Sequence, residues 1–550
     1  MKKKLVVLLL TAAMCGSMLT GCGNSSDTSS GVTGPADSTA TDSSSEDAAS
    51  DATEDKVGGI MYQSGLPIVD EGAYSFSIFV DDSTSTGEFC MLTAFQEQTN
   101  VDVELKYYPY ETAKERLNLD LNSGDYADVI GGWTLSDSMI LQYGVDQGVF
   151  IPLEDYFAEY CPNISAILDL PGVREKMTAP DGHIYTIPYV CDDTTVSFSP
   201  YINGRWLENV EMSMPTTTEE FEAVLKAFKE QDANGNGNAN DEIPFSTDPN
   251  NKSLESLAGW FGMPMNKQGL AMIDGEVVYG GTSTAYREFL SWFNSLYEQG
   301  LIDTEIFTQD SSTWEGKGNK DLYGVSIAYG SNEYSGIAQK PEKSEFDVLP
   351  VLNTENGGIW LRATNGYSVY RTQAVVTDNA KNPEIICRWF DNAFELENGI
   401  GCNRGPIDVV VFKEGDGYRA IDVEATMSAD DAEKVSWGNL WPQALPKYVP
   451  SGFKYIEDNP LYDEKKAVEA TYEANLTKEP ISSFWVDQDD VEVYSEIYTA
   501  VLDYYVQQQA LFISGEIDVD DDAQWQSYIN GLKALGLEEW LQMRGAVIAE

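Results

Sequence analysis

From Ala73 onward, small or polar residues alternate with apolar ones through Ala73-Tyr74-Ser75-Phe76-Ser77-Ile78-Phe79-Val80, the two-residue period of a strand. A helical stretch over 87–99 follows, then a second alternation at Val101-Asp102-Val103-Glu104-Leu105 and a helix over 111–122. A short apolar strand, Ala127-Asp128-Val129-Ile130, is closed by Gly131-Gly132. Strand, helix, strand, helix, strand at this spacing predicts an α/β unit around a largely parallel sheet. A second unit starts with a strand over 196–202. Thr217-Thr218-Glu219-Glu220 has the capping-box pattern, and Phe221, Val224, Leu225 and Phe228 recur behind it at helical spacing. Strands are predicted over 322–328, 346–352 and 367–370, and a helix over 383–397 with Ile385, Trp389 and Ala393 on one stripe. The C-terminal end reads as helices whose apolar faces carry Ile497, Val501 and Tyr505, then Trp525, Tyr528, Leu532 and Leu535.

The chain begins with an address. Lys2, Lys3 and Lys4 precede an apolar stretch, Leu5 to Ala13, that is too short to span a bilayer, and Leu19-Thr20-Gly21-Cys22 ends in cysteine after small residues. This pattern resembles the lipobox of bacterial lipoproteins. It implies a signal peptide over 1–21, cleavage before Cys22 and lipidation of its thiol with palmitate-type chains, so that the mature protein is anchored to a membrane rather than spanning it. Cys15 is a rival thiol, but Ala13-Met14 before it fits the pattern badly. Residues 24–55 hold 14 Ser or Thr, 8 Asp or Glu and no Lys or Arg, with Val32 alone among the larger aliphatics. Such a segment buries too little to fold, and residues 22–56 read as an acidic tether with a reach of roughly 30 Å.

Composition narrows the function classes. At 550 residues the chain exceeds what one core usually serves, and 34 basic against 90 acidic side chains give a net charge of −56. That surface repels nucleic acid and anionic membrane alike. The body beyond the tether keeps Cys90, Cys161, Cys191, Cys387 and Cys402 with no CxxC pair, so neither a disulfide framework nor a cysteine zinc site is indicated. His183 is the only histidine. It lies in a turn entering a strand and reads as a structural or surface residue; an HExxH zinc site is ruled out. Ser451-Gly-Phe-Lys454 matches SxxK without the partner motifs of a β-lactamase-like enzyme.

Asp232-Ala-Asn234-Gly-Asn236-Gly237-Asn238-Ala-Asn240-Asp241-Glu242 is the sharpest local motif. Oxygen-bearing residues at the first, third and fifth positions with glycine at the sixth match a calcium loop, because a hard cation takes six to eight oxygens and the glycine permits the sharp turn. The expected ligands of a structural Ca2+ are Asp232, Asn234 and Asn236 by side chain, Asn238 by its carbonyl, and Asp241 and Glu242 as closing carboxylates. It departs from an EF-hand: Ile243 stands where the bidentate Glu belongs, and a proline-bearing strand replaces the exit helix.

The lipobox, the tether, Asp125-Tyr-Ala-Asp128-Val, Gly148-Val-Phe-Ile-Pro152-Leu, Gly182-His-Ile-Tyr-Thr-Ile-Pro188 and Ile202-Asn-Gly-Arg205-Trp206-Leu207 follow one another in order. The calcium loop with Asp241-Glu-Ile-Pro244, then Asn382-Pro383-Glu384 and Phe512-Ile-Ser-Gly515-Glu, continue the series. Together they resemble the family 1 extracellular solute-binding lipoproteins of bacterial ABC importers, in particular the group that includes alginate-oligosaccharide-binding proteins. The family loop often runs one residue shorter, which leaves the part played by Asn240 open.

The resemblance implies a two-lobed, periplasmic-binding-protein-like α/β fold of type II, with discontinuous lobes and a hinge. The lobes are expected at 72–195 plus 353–402 and at 196–352 plus 403–550, with hinges at 194–201, 350–357 and 399–406. It implies capture of a carbohydrate, most simply an oligosaccharide, without chemistry, and delivery to importer permease subunits from the extracellular face of the cell membrane. The protein is then no enzyme, works as a monomer and has no nucleic-acid partner.

Aromatic faces and placed polar groups recognise sugar rings. Trp206, Trp389, Trp525 and Trp540 read as packing residues. Trp133 follows the strand ending at Gly132, where open α/β sheets bind ligands, and is the first candidate for substrate contact. Trp260, Trp360, Trp437 and Trp441, in Gly- or Pro-rich surroundings, and Arg362 near Trp360 are the others. The acidic body favours a neutral oligosaccharide over a polyanion. A cell-surface glycoside hydrolase, with two carboxylates among the 90 acids, and a sensory ectodomain on the same tether remain alternatives at this point.

Overall fold

Phe76, Ile78 and Val80 turn to one face of the first strand and Phe79 to the other, and each side meets its own cluster of the first core. That explains why β1 (Tyr74–Asp81) loses its alternation towards its end: a parallel strand covered on both faces has no wet side. The computed structural model describes residues 56–549 except 82–87, 193, 249–253, 335–344, 355–356, 366 and 450–459. The leader, Cys15, Cys22, residues 22–55 of the tether and Ser451-Gly-Phe-Lys454 lie outside the described residues. β1 pairs in parallel with β2 (Val101–Tyr108) and β3 (Val129–Gly132), joined by helices Cys90–Thr99 and Tyr110–Ser123, close to the predicted order. After short helices, β4 (Thr186–Asp192) enters the same sheet.

The chain then builds a second core. In β5 (Ser199–Asn203) every residue is buried, and the Asn203 side chain caps helix Gly204–Asn209 by accepting from the Trp206 N–H at 3.1 Å. The capping box forms with a one-residue offset. Thr217 Oγ1 accepts from the Glu220 N–H at 3.2 Å, while Glu220 reaches back to the N–H of Thr216 at 2.8 Å rather than to the cap itself. Helix Thr218–Glu230 buries the predicted stripe of Phe221, Val224, Leu225 and Phe228. β6 (Ile243–Thr247), the hairpin β7 (Leu270–Ile273) and β8 (Glu276–Tyr279), β9 (Tyr323–Ala328) and β10 (Phe346–Val348) follow. A four-stranded sheet in the order β10-β5-β9-β6 results, with β6 and β9 parallel.

β11 (Tyr367–Val376) returns to the first sheet and lies antiparallel between β3 and β4. The helix predicted over 383–397 breaks into Pro383–Asp391, a 3-10 turn Asn392–Phe394 and a new helix Leu396–Arg404, because the Glu395 side chain caps the N–H groups of Glu397 and Asn398. The hairpin β12 (Val411–Glu414) and β13 (Gly417–Ala420) makes a small satellite cluster with Ile400, and β14 (Tyr448–Val449) adds to β4, giving the order β14-β4-β11-β3-β1-β2. Helices Pro460–Tyr472, Val491–Ser514, Asp522–Ala534 and Leu537–Arg544 then go to the second core, and β15 (Val547–Ile548) pairs with β8.

The two cores locate the crossings. The first draws on Met61 through Val190 and on Ala374 through Leu445; the second draws on Val196 through Trp360 and on Val468 through Ala546. Between Val190 and Val196 the chain passes from the first core to the second. The other two differ from the expectation. Leu352 and Trp360 still pack in the second core, so the return lies after 360 rather than at 350–357. Leu440, Trp441 and Leu445 sit in the first core, so the last passage lies after β14 and not at 399–406. Gly399, whose added Cβ would meet the Tyr448 carbonyl at 2.0 Å, marks close helix packing rather than a hinge. Trp206, Trp389, Trp525 and Trp540 are all buried, as their spacing indicates. The five cysteines of the body are free, four of them buried. Among the described residues no helix is long and apolar enough to cross a membrane.

Candidate functional site

At the carboxyl ends of β1 and β3, one buried carboxylate sets the geometry. Asp81 is fully buried and accepts from the backbone N–H of Trp133 at 2.7 Å and from the N–H and hydroxyl of Thr134. Gly132 makes this possible: its φ is +140°, and an added Cβ would lie 1.9 Å from Asp81 Oδ1. Held by its own N–H, Trp133 turns out of the sheet end with 42% of its surface exposed. Its ring stands edge-on to Tyr370, at 5.8 Å between centroids and 89°. Tyr370 stacks on Tyr189, its cross-strand partner in the pairing of β11 with β4, at 5.3 Å and 16°. Below them Lys447 is fully buried, with Nζ 4.3 Å from the Tyr189 ring centre and 2.9 Å from the Gln443 carbonyl. The Gln443 amide in turn donates to the carbonyls of Trp437 and Trp441. Trp437 is exposed. Ring contacts therefore join Trp133, Tyr370, Tyr189 and Lys447, and hydrogen bonds continue from Lys447 to the Gln443 carbonyl and from the Gln443 amide to the Trp437 backbone carbonyl. In the second lobe, exposed Tyr329 follows β9, with Lys465 Nζ 3.2 Å from its ring centre and Phe198 edge-on at 6.3 Å.

The loop over 232–242 is ordered by its own side chains. Asp232 Oδ2 accepts from the Gly237 N–H, Asn234 Oδ1 from that of Asn236, and Asn236 Oδ1 from that of Asn238. Asp241 receives the amide groups of Asn236 and Asn234 at 3.0 and 3.4 Å, and Arg205 bonds the Asn234 carbonyl at 2.7 Å. Three oxygens are left over. Asp232 Oδ1 and both oxygens of Glu242 are closed to solvent with no hydrogen-bond partner. Burial, with Asp241 and Asp232 alongside, pushes the Glu242 carboxyl above its ordinary range. Orphaned carboxylate oxygens of this kind fit a hard cation as their partner. Among the described residues no three His, Cys, Asp or Glu side chains group closely enough to hold a metal by themselves, so a cation here needs the asparagine oxygens and backbone as well. A separate groove of about 640 Å³, lined by Val57, Tyr156, Tyr160, Asp378 and Glu384 among others, lies beside Thr377, at the start of β3 rather than at its Trp133 end.

Residues 87–399 match the family model of bacterial extracellular solute-binding proteins. The chain belongs to that family. Over 478 residues this solute-binding protein is 30% identical to the fructooligosaccharide ABC transporter substrate-binding protein FusA of Streptococcus pneumoniae serotype 4, covering 83% of this chain and 86% of FusA. It is 25% identical to the lipoprotein LipO of Bacillus subtilis, covering 78% of this chain and 83% of LipO. An EF-hand mutant of S. pneumoniae FusA in complex with fructo-nystose superposes with a TM-score of 0.74 at 26% identity, over 86% of this chain and 98% of that one. The alginate-binding protein AlgQ2 without calcium ion, at 23% identity and a TM-score of 0.68, shares the fold over 87% of this chain and 98% of its own. The two-lobed α/β expectation is met, and the chain works by binding rather than catalysis.

Within this solute-binding protein the residues expected at the ligand separate into two groups. Trp133 and Trp437 are exposed. Trp260, Trp360 and Trp441 do not line a surface: they are 0%, 3% and 0% exposed. Trp260 packs edge-on against Phe221 and Trp292, Trp360 against Tyr472, and Trp441 stacks on Trp389. Their glycines serve close backbone approach instead of open loops; an added Cβ at Gly259 would lie 2.2 Å from the Ile359 carbonyl. Arg362 donates through Nε to the Thr477 carbonyl at 3.0 Å and lies 3.7 Å from Glu473, tying two chain segments together. His183 pairs with Glu154 at the surface. Asp81, Tyr189, Tyr370, Lys447 and Tyr329 escaped sequence reasoning. The tyrosines fell in or beside predicted strands, but which residue faces which across a sheet depends on register, which the sequence does not display.

Proposed function

We propose that this solute-binding protein captures a neutral oligosaccharide between its lobes and hands it, unaltered, to the permease subunits of an ABC importer. The observation that carries the reading is the exposed aromatic group at the carboxyl ends of β1 and β3: Trp133 edge-on to Tyr370, and Tyr370 stacked on Tyr189. Flat faces at the end of an open α/β sheet are where the CH faces of sugar rings pack. Exposed Trp437 is a further candidate for contact, and Tyr329 with Phe198 supplies an aromatic counterpart from the second lobe. FusA, which names a fructooligosaccharide ligand and an ABC transporter, supports the class of solute and the destination. Closure of the lobes about the segments near 194 and 362, with discontinuous lobes on either side, is the motion that traps the ligand.

Ca2+ in the 232–242 loop is a structural part of the proposal, held by Asp232, Asn234, Asn236, Asp241 and Glu242 with the Asn238 carbonyl. It neutralises the orphaned oxygens of Asp232 and Glu242 and staples the end of helix Thr218–Glu230 to β6. The EF-hand named for FusA supports it. Lipidation at Cys22, for which LipO is a precedent in name, holds the protein on the extracellular face of the membrane as a monomer on its tether.

Thermal unfolding of the soluble body, with calcium present, against fructans, other neutral oligosaccharides and uronates tests the reading. A ligand bound by the folded state alone raises the melting temperature. A selective rise with a neutral oligosaccharide recovered intact is expected. Cleavage of the sugar would overturn the reading in favour of a hydrolase, and silence across the panel in favour of a peptide, another solute or a sensory role.

A further inference from the structure

After helix Pro460–Tyr472 the chain runs through residues 476–487 without regular secondary structure before helix Val491–Ser514, and its side chains divide between the two cores. Ile481 and Tyr494 pack on the second core, whereas Trp485, between them, packs on the part of the first core that lies under Phe79, Ile130 and Val375. Its indole N–H donates to the Lys176 carbonyl at 3.2 Å, in a helix of the first lobe. One arginine from each lobe clamps the segment. From β11, Arg371 lays its guanidinium 3.8 Å from the Trp485 ring centre and donates to the Phe484 carbonyl at 2.7 Å. Two further bonds, at 2.7 and 2.6 Å, hold it to both oxygens of Asp137, at the start of a helical turn of the first lobe. From the C-terminal helix Leu537–Arg544, Arg544 donates to the Ser482 carbonyl at 2.7 Å and lies 3.9 Å from the Phe484 ring centre. Phe484 also meets Tyr494 edge-on at 5.7 Å.

A bidentate arginine is a rigid fork, and both guanidinium groups also stack on aromatic faces, so each grip fixes orientation as well as distance. We propose that residues 482–485 are a strap tying the two lobes together, with Arg371 and Arg544 as its positioning residues, and that this strap limits how the lobes move and so sets the affinity for solute. The affinity clause rests on the binding reading above; the mechanical clause does not. Arg371 directly follows Tyr370 on β11, and neighbouring residues of a strand point to opposite faces. One strand therefore presents a ring to the proposed ligand surface and a guanidinium to the strap. The ladder between β11 and β4 shifts register between Tyr370 and Ala374, so the strand is irregular at this point. With the strap released, the fraction of molecules in the binding-competent arrangement falls, and the apparent affinity falls with it.

The test uses the full chain with Arg371→Met, Arg544→Met and the double substitution; methionine keeps the apolar stem that covers Trp485 and Phe484. Without any sugar, chymotryptic cleavage after Phe484 or Trp485 is expected to speed up roughly tenfold in each single variant, ahead of cleavage elsewhere, because proteolysis follows the population of the opened segment. Solution scattering is expected to show a larger radius of gyration in both. Either release uncouples the lobes, so the double variant should scatter like the singles, a non-additivity that local destabilisation would not give. For kestose, a short neutral fructooligosaccharide used as the probe, binding is expected to weaken roughly fivefold or more in each variant. Unchanged cleavage and scattering would overturn the strap, as would additive effects in the double variant, and unchanged or tighter kestose binding would overturn its effect on affinity. If the parent protein does not take kestose, the choice of solute is what has failed, and cleavage and scattering still decide the strap. Should Arg371→Met not fold, Arg544→Met tests the same strap from the other lobe.

Discussion

Glu255 lies in the 3-10 helix Leu254–Phe261 with 6% of its surface exposed. Burial pushes its carboxyl from 4.5 up to about 7, and Gln509 and Lys267 oppose only part of that rise. A raised acid binds its proton more tightly in the folded state. Below about pH 4.5 the group is protonated in both states and does not affect their balance. Between there and about pH 7 the unfolded chain releases the proton first, so stability falls as pH rises; above that the loss is complete. The gap between the two values corresponds to about 3 kcal/mol. Glu255→Gln keeps the shape and hydrogen bonding of the neutral acid but cannot ionise. Urea unfolding in excess calcium is expected to give parent and variant stabilities within about 1 kcal/mol of each other near pH 5, and a variant more stable by about 3 kcal/mol near pH 8.5. Asp391, also raised by burial, is present in both proteins and cancels from the difference. Parallel stability curves for the two proteins from pH 5 to 8.5 would refute the argument.

Gly132→Ala drives a Cβ onto the Asp81 carboxylate and is expected to lower stability by about 2 kcal/mol or more in calorimetry while also weakening solute binding; a neutral result would mean that Asp81 does not set the Trp133 turn. Trp133→Ala should shift stability by only about 0.5 kcal/mol, yet weaken binding roughly tenfold in titration calorimetry. Trp441→Ala should lower stability by about 3–5 kcal/mol because it empties the first core against Trp389, and equal stability effects for these two tryptophans would contradict their assigned surroundings. Removing Ca2+ with a chelator should lower the melting temperature of the parent, and the double variant Asp232→Asn, Glu242→Gln should no longer respond. A parent indifferent to chelator would remove the cation from the loop.

The order of elements was legible because each one repeats its period within a few residues. The alternation at 73–80, the helical stripe at Phe221, Val224, Leu225 and Phe228, and the glycine pair closing β3 all act locally. The order within the 232–242 loop was legible for the same reason, since the side chains that hold it come from one short stretch. Tryptophan burial divided along that line too. Trp389 and Trp525 announced themselves by helical spacing, whereas Trp260, Trp360 and Trp441 sit among glycines and prolines that look like open loops in sequence and prove to be places where backbone meets backbone. The crossings were misplaced for a related reason: residues 403–449 carry no local sign of which core they join, and only Trp441 finding Trp389 and β14 finding β4 decide it.

Long-range pairing also explains why the residues of the proposed ligand surface and strap were the hardest to see. Tyr189 and Tyr370 are 181 positions apart and become one stacked pair through the register of β4 with β11. Arg371 and Asp137 are 234 apart, and the Trp485 indole reaches a carbonyl 309 residues earlier. Each pair joins passages of the chain that belong to different visits to the same lobe, or to different lobes. A discontinuous two-lobed protein has to return to its first lobe to complete it, and the returning strand lies among the earlier strands while also meeting residues 484–485. β11 is that strand here, which places Tyr370 and Arg371, side by side in sequence, between the proposed ligand surface and the proposed strap.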